Sequence, residues 1–350
     1  MKKRVFEMKS LLLSLLLIVT VSFSLSAQEA RKEYTETYDV SKGVTLNTDT
    51  KYTDVELITW DKSVVDILAV VEVEASSQNR AEEALKKVEV RISKSGNNIY
   101  VETEMENGWS RNVKTNIDIT IKAPAWVNLN MESSYGDLFI QEAGGHVNLD
   151  MKYGNLKAGS LTRGNEKPFS TLDLAYSDVA IDEAGWLELE VAYSDIDINV
   201  SKMLFVESKY SKLIGEKVGG IVTEGAYDKY YYDEVDSFVA ELKYSGLKFG
   251  KLNKVLDLHS AYTGVKIGTL SNGFDKVDAE LSYGNISAGL EQGASFKFEG
   301  VAKYGNISIP GGTQLSKVKE NNSVRIWGNV GSNPKSSINV ITKYGNSSFE

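Results

Sequence analysis

The chain has 350 residues, 42% hydrophobic and 25% charged, which is enough for one large or two ordinary globular domains. It has no cysteine, which excludes disulfides, thiolate metal sites and lipid-modified cysteine. A formal charge of −9 argues against nucleic acid as a partner, because phosphate backbones are held by Lys/Arg-rich surfaces.

Residues 1–27 read as a secretory signal peptide. Lys2, Lys3, Arg4 and Lys9 form a basic start, Leu11 to Leu25 is almost wholly apolar, and Ser24, Ser26 and Ala27 precede polar Gln28. The apolar run is too short for a membrane-spanning helix, and no later stretch is a candidate for one. Cleavage after Ala27 removes four Lys/Arg and one Glu and leaves a net charge of −12. Residues 28–126 then form a less regular, β-rich N-terminal capping region, with runs at Val64 to Val73 and Ile99 to Thr103. This region holds one helix candidate over 78–90, where Ala81, Ala84, Leu85 and Val88 recur at helical spacing and Ser76 and Ser77 offer caps.

A repeat centred on Tyr organises residues 127–350. It runs from Tyr135-Gly-Asp-Leu and Tyr153-Gly-Asn-Leu through Tyr176-Ser-Asp-Val, Tyr193-Ser-Asp-Ile, Tyr210-Ser-Lys-Leu, Tyr227-Asp-Lys-Tyr, Tyr244-Ser-Gly-Leu and Tyr262-Thr-Gly-Val. It closes with Tyr283-Gly-Asn-Ile, Tyr304-Gly-Asn-Ile and Tyr344-Gly-Asn-Ser, and an outlying copy stands at Tyr52-Thr-Asp-Val. Four consecutive steps, from Tyr176 to Tyr244, are 17 residues each. Ahead of Tyr193, Leu187, Leu189 and Val191 alternate with Glu188, Glu190 and Ala192, and beyond it the apolar phase restarts at Ile196 and Ile198. A chain that changes parity turns, and this pattern places Tyr193 on the apolar face with the slip at Ser194-Asp195. The fold class is therefore all-β, a parallel β-helix (solenoid) of about ten coils in which Tyr stacks on Tyr inside and Asn or Asp stacks at the corners. An antiparallel meander is the competing assembly, but Ser-Asp, Ser-Lys and Asp-Lys suit hairpin turns poorly. The segment 311–336 stretches the last interval to 40 residues and reads as an insertion or end-cap.

The signal peptide, the opening Val44-Thr-Leu-Asn-Thr-Asp-Thr-Lys-Tyr-Thr-Asp-Val-Glu-Leu, the Trp60-Asp61 pair and the Tyr-Gly-Asn/Asp coils resemble the putative-adhesin β-solenoid proteins of Bacteroidetes-type envelopes. The resemblance covers essentially the whole mature chain. It implies a parallel β-helix at the periplasm or cell surface, and it brings no catalytic residue.

Residue chemistry points to binding rather than catalysis. There is no nucleophile elbow, no phosphate loop and no cofactor motif. His146 and His259, the only histidines, stand in different coils, so no metal site is expected. The corner residues Asp137, Asn155, Asp178, Asp195, Asn285 and Asn306 read as turn formers rather than calcium ligands. The repeated Tyr reads as a buried ladder rather than a sugar-stacking platform. The binding candidates are Tyr231, on the outward parity of Tyr230-Tyr-Tyr-Asp, and Trp109 in the polar loop Asn107-Gly-Trp-Ser-Arg-Asn. These features predict an exported, non-catalytic, adhesin-like protein whose partners are carbohydrate or envelope protein. A polysaccharide-active β-helix enzyme or an outer-membrane barrel would be the alternatives.

Overall fold

A computed structural model describes residues 28–106, 112–310 and 314–350. Residues 1–27, the expected signal peptide, lie outside the described residues. Twenty-six strands and one helix make up the described chain, with all the strands joined in one hydrogen-bonded sheet system. Each repeat Tyr, with the strand before it and the strand after it, forms one rung, and successive rungs pair in parallel. Between Tyr176 and Tyr262 the rungs are continuous strands of 15 or 16 residues, such as Asp178–Ala192 and Asp195–Lys209, which bend without breaking. Val179 lies against Ile196, and Leu187 against Leu204, so both sides of a rung keep the 17-residue register. The result is a solenoid-like stack, and its interior is one continuous apolar cluster from Val44 to Phe349.

The repeat tyrosines do not point into that interior. All twelve adopt the left-handed backbone conformation, with φ between 53° and 64°. A left-handed residue between two extended segments reverses parity at itself. Val191 therefore faces in, Tyr193 faces out, Ser194 faces in and Ile196 faces in. The phase slip expected at Ser194-Asp195 falls one residue earlier, and the buried ladder becomes an exposed one, with each ring 43–52% accessible. A left-handed non-glycine residue costs roughly 1–2 kcal/mol. Ring contact with the neighbouring rungs, worth roughly 0.5–1.5 kcal/mol per pair, offsets most of that cost.

The inner corner belongs to the next residue, and it must be small. Thr53, Ser177, Ser194, Ser211, Asp228, Ser245 and Thr263 are buried there. In the other rungs the position is Gly, because a Cβ at Gly345 would lie 1.8 Å from the carbonyl oxygen of Gly284, and one at Gly136 2.0 Å from that of Thr53.

Rung order departs from chain order at both ends. The strand Thr45–Lys51 pairs directly with Asn128–Ser134, and Asp54–Thr59 pairs with Leu138–Ala143, so the stack begins inside the region read as a cap. Residues 60–126 leave that rung and cover it. The strands Asn98–Met105 and Lys114–Ala123 add a parallel layer. Val88–Ser95, Val64–Ala75 and Gln28–Asp39 then pair antiparallel beyond it. The helix is Gln78–Leu85, shorter than the expected 78–90, and it rests Ala81 against Ala30 and Ala75. Val88 and Val90 leave the helical pattern because they alternate with Glu89 and Arg91 and bury in a strand. At the far end Ser336–Lys343 lies between Lys276–Ser282 and Phe296–Lys303, so the Tyr344 rung sits between those of Tyr283 and Tyr304. Ser323–Val330 and Gln314–Glu320 close the stack antiparallel, and the outermost strand exposes Lys317, Lys319 and Glu320 along its edge.

Candidate functional site

The stack converts sequence spacing into straight rows of side chains, one residue per rung. Twelve tyrosine rings form one column, from Tyr52 through Tyr283 to Tyr344 and Tyr304. Centroids are 4.7–5.0 Å apart, and beyond the first pair the rings are within 9° of coplanar. The column is thus about 50 Å long, as eleven steps of one strand spacing require. Within it both faces of every ring except the end members, Tyr52 and Tyr304, are covered by neighbouring rings. Along the interior of the column a sugar has no free aromatic face to stack on, and solvent meets ring edges instead.

Three residues before each Tyr runs a second outward row. In stack order it is Asp49, Glu132, Asp150, Asp173, Glu190, Glu207, Glu224, Glu241, His259 and Glu280, ending in Ile341 and Val301. Nine carboxylates therefore line one side of the tyrosine column at strand spacing. Among the described residues, the basic nitrogens within 4 Å of this row are Lys152, 3.0 Å from Asp150, and His259, 4.0 Å from Glu280. The hydrogen bond to Asp150 raises the Lys152 pKa. Between the acidic row and the tyrosines runs an open groove of about 660 Å³. Its floor is small, with Ala192, Gly225, Ala226 and Ala261, and Glu190, Glu207, Glu224 and Glu241 stand along it with Lys209 and Lys243. No sequence motif marks these carboxylates, which lie in separate strands. Alignment of the repeats on Tyr reveals them, because an acid stands three residues ahead in nine of the twelve.

On the other side of the column the row changes character along the axis. Asp178 and Asp195 are in register with Lys212 and Lys229, and these with Gly246 and Gly264. Tyr231 lies on this side, exposed, in register with Ile214 and Lys248. It borders a shallow depression of about 270 Å³ with Leu247, Val265 and Asn285. Trp109 lies outside the described residues. His146 is remote from His259 and meets the Phe169 carbonyl at 3.0 Å through Nε2. Among the described residues no three His, Asp or Glu side chains converge to hold a metal. No helix of the described residues is long and apolar enough to cross a membrane.

One rung breaks the repeat internally. Asp228 replaces the corner Ser and is buried. It accepts hydrogen bonds from the Ser211 N–H at 2.9 Å, the Ser208 hydroxyl at 2.8 Å and the Tyr230 hydroxyl at 3.4 Å. Burial pushes the Asp228 carboxyl above the ordinary carboxylate value and pushes the Tyr230 phenol up as well. Gly225 makes the space, since a Cβ there would stand 2.4 Å from Asp228 Oδ2.

A family model described as Toastrack DUF4097 matches residues 45–349, from the first strand of the Tyr52 rung to the last strand of the Tyr344 rung. The chain belongs to the Toastrack DUF4097 family. No curated protein matches it. Among solved structures, the Toastrack chain is similar to a putative cell adhesion protein from Clostridium sporogenes ATCC 15579, at 11% identity and a TM-score of 0.20, over 91% of this chain and 99% of that one. It is also similar to putative adhesins from Bacteroides fragilis NCTC 9343 (10% identity, TM-score 0.30) and Parabacteroides distasonis ATCC 8503 (7%, 0.32). Each match covers 91% of this chain and 97% of the other.

Proposed function

We propose that this protein is an exported, non-catalytic adhesin: a parallel β-helix of about ten or more coils that binds an extended carbohydrate or protein segment at the cell envelope. What supports this reading is the row of nine carboxylates beside the tyrosine column, interrupted once at His259, with its small-floored groove. An extended ligand meets the same chemistry at each step of such a surface, and weak contacts repeated along a rigid face add up without costly rearrangement. Hydrolases need two carboxyls held in different environments, one protonated and one ionised. A row that repeats one carboxylate per rung gives no rung that distinction. The basic and apolar start of residues 1–27 supports export.

The test is a binding screen of purified residues 28–350 against glycans and envelope proteins. The variants are Glu190→Gln/Glu207→Gln/Glu224→Gln, Tyr231→Ala and Trp109→Ala. Saturable binding that the triple variant weakens at least several-fold places the ligand on the acidic face. Loss in Tyr231→Ala or Trp109→Ala instead moves the site to those residues. A folded protein that binds nothing overturns the adhesin reading in favour of a structural role in the envelope.

A further inference from the structure

The tyrosine column has a chemical property that adhesion does not use. Every phenol in it stands one strand spacing from another phenol, and interior members have two such neighbours. The rings are half-exposed, so small oxidants reach them. The chain has no cysteine to intercept one-electron oxidation or to supply a covalent tie. Among the described residues the other tyrosines stack on no tyrosine ring. Tyr230 and Tyr232 are buried, and Tyr231, though exposed, has Ile214 and Lys248 as its row neighbours.

We propose that the tyrosine column is a site of oxidative cross-linking, in which one-electron oxidation joins tyrosines of adjacent rungs as dityrosine and locks the stack covalently. The oxidant is hydrogen peroxide acting through a haem peroxidase. Each of two neighbouring phenols gives up its O–H hydrogen, as one electron and one proton, and becomes a phenoxyl radical. The radicals couple ortho carbon to ortho carbon, and the two displaced ring hydrogens return to the oxygens. The pair has lost two hydrogens, which reduce one peroxide to two waters. Stacking favours this product because two radicals formed on neighbouring rings are already side by side, whereas the radical of an isolated tyrosine must wait for a collision with another. Rotation of two half-exposed side chains at the corner closes the remaining distance.

The experiment treats dilute residues 28–350 with peroxidase and limiting hydrogen peroxide. It follows dityrosine fluorescence, intact mass and linked peptides after proteolysis. The expected products are monomers lacking two hydrogens per link, with links between stacked pairs such as Tyr193–Tyr210 and Tyr283–Tyr344, at a yield independent of protein concentration. Tyr231 stays outside the links. Replacing alternate members of the column (Tyr135, Tyr176, Tyr210, Tyr244, Tyr283 and Tyr304) by Phe keeps the rings but leaves the nearest phenols roughly 10 Å apart, beyond aromatic contact. The yield per remaining phenol should then fall about ten-fold. If that variant does not fold, Tyr210→Phe alone should remove the 193–210 and 210–227 peptides and leave the 227–244 peptide. Links that form only between molecules, an unchanged yield per phenol in the alternate variant, or hydroxylated tyrosine without dityrosine would each overturn the proposal.

Discussion

The Tyr-Ser rungs from Tyr176 to Tyr262 and the Tyr-Gly rungs on either side make the same corner with different hydrogen bonds. In the Tyr-Ser stretch the corner N–H is satisfied from within. Ser177 N–H donates to Ser194 Oγ, Ser194 N–H to Ser211 Oγ, and Asp228 N–H to Ser245 Oγ. Each of these hydroxyls in turn donates to the carbonyl two residues back. The following residue's N–H finds a backbone carbonyl one rung away, as Asp195 N–H does at Ser177. In the Tyr-Gly stretches that carbonyl points at the next Gly instead, and in four of the five rungs the N–H after the Gly is taken by a side chain. Asn155 N–H donates to Asp137 Oδ1, Asn346 N–H to Asn285 Oδ1, and Asn306 N–H to Asn346 Oδ1. The difference teaches why Gly at the corner is always followed by Asn or Asp here, whereas Ser or Thr is followed by Asp, Lys or Gly. The N–H after the corner is met in both stretches, by a backbone carbonyl of the neighbouring rung in one and by its Asn or Asp side chain in the other.

The comparison breaks first at the glycines. Gly345→Ala puts a Cβ against the Gly284 carbonyl, which is backbone and cannot turn aside. It should cost about 3 kcal/mol, read as a shift in the urea midpoint. Ser194→Ala keeps its Cβ but leaves the buried Ser177 N–H without its acceptor, and about 1–2 kcal/mol is expected by the same measurement.

Asp228 sharpens the contrast because it fills a serine position with a charge. Burial raises its pKa, so the folded state takes up the proton more readily than the unfolded chain. The associated loss of stability is absent below the unfolded value, grows as pH rises through the folded value, and is complete above it. Asp228→Asn retains an oxygen for the Ser211 N–H and should stabilise the protein by about 1 kcal/mol at alkaline pH. Urea titrations at several pH values should show that gain vanish on acidification.

The smallest effect lies outside the corner. Asn346→Ala removes the acceptor for Asn306 N–H and should cost about 1 kcal/mol, whereas Lys212→Ala, at the equivalent place in a Tyr-Ser rung, should stay within about 0.5 kcal/mol. Equal losses at the two sites would dissolve the distinction.

Much of this architecture is legible in the residues. Strand parity on each side of Tyr193 and the 17-residue step predict parallel stacking, and the pairing of Asp178 with Asp195 and Leu187 with Leu204 follows that step. The direction of Tyr is not legible, because Leu187, Leu189 and Val191 continue in phase to Tyr193, and only the backbone conformation turns it outward. Nor is rung order. Tyr283, Tyr304 and Tyr344 each open a Tyr-Gly-Asn corner, and nothing local says that the third lies between the first two. The acidic row is legible but needs the repeats aligned, since Glu190, Glu207, Glu224 and Glu241 lie in separate strands with no motif among them. The Asp228 network escapes sequence reading because its space is made by Gly225, on the opposite side of the rung junction.

The outward tyrosine column is the centre of this account, and site-resolved acylation of phenols in the native protein tests it most directly. Mild N-acetylimidazole treatment followed by peptide mass spectrometry should modify the column tyrosines from Tyr52 to Tyr344 and spare Tyr230 and Tyr232. Protection of Tyr135, Tyr193 and Tyr283 in a folded sample would place the ladder inside and contradict it.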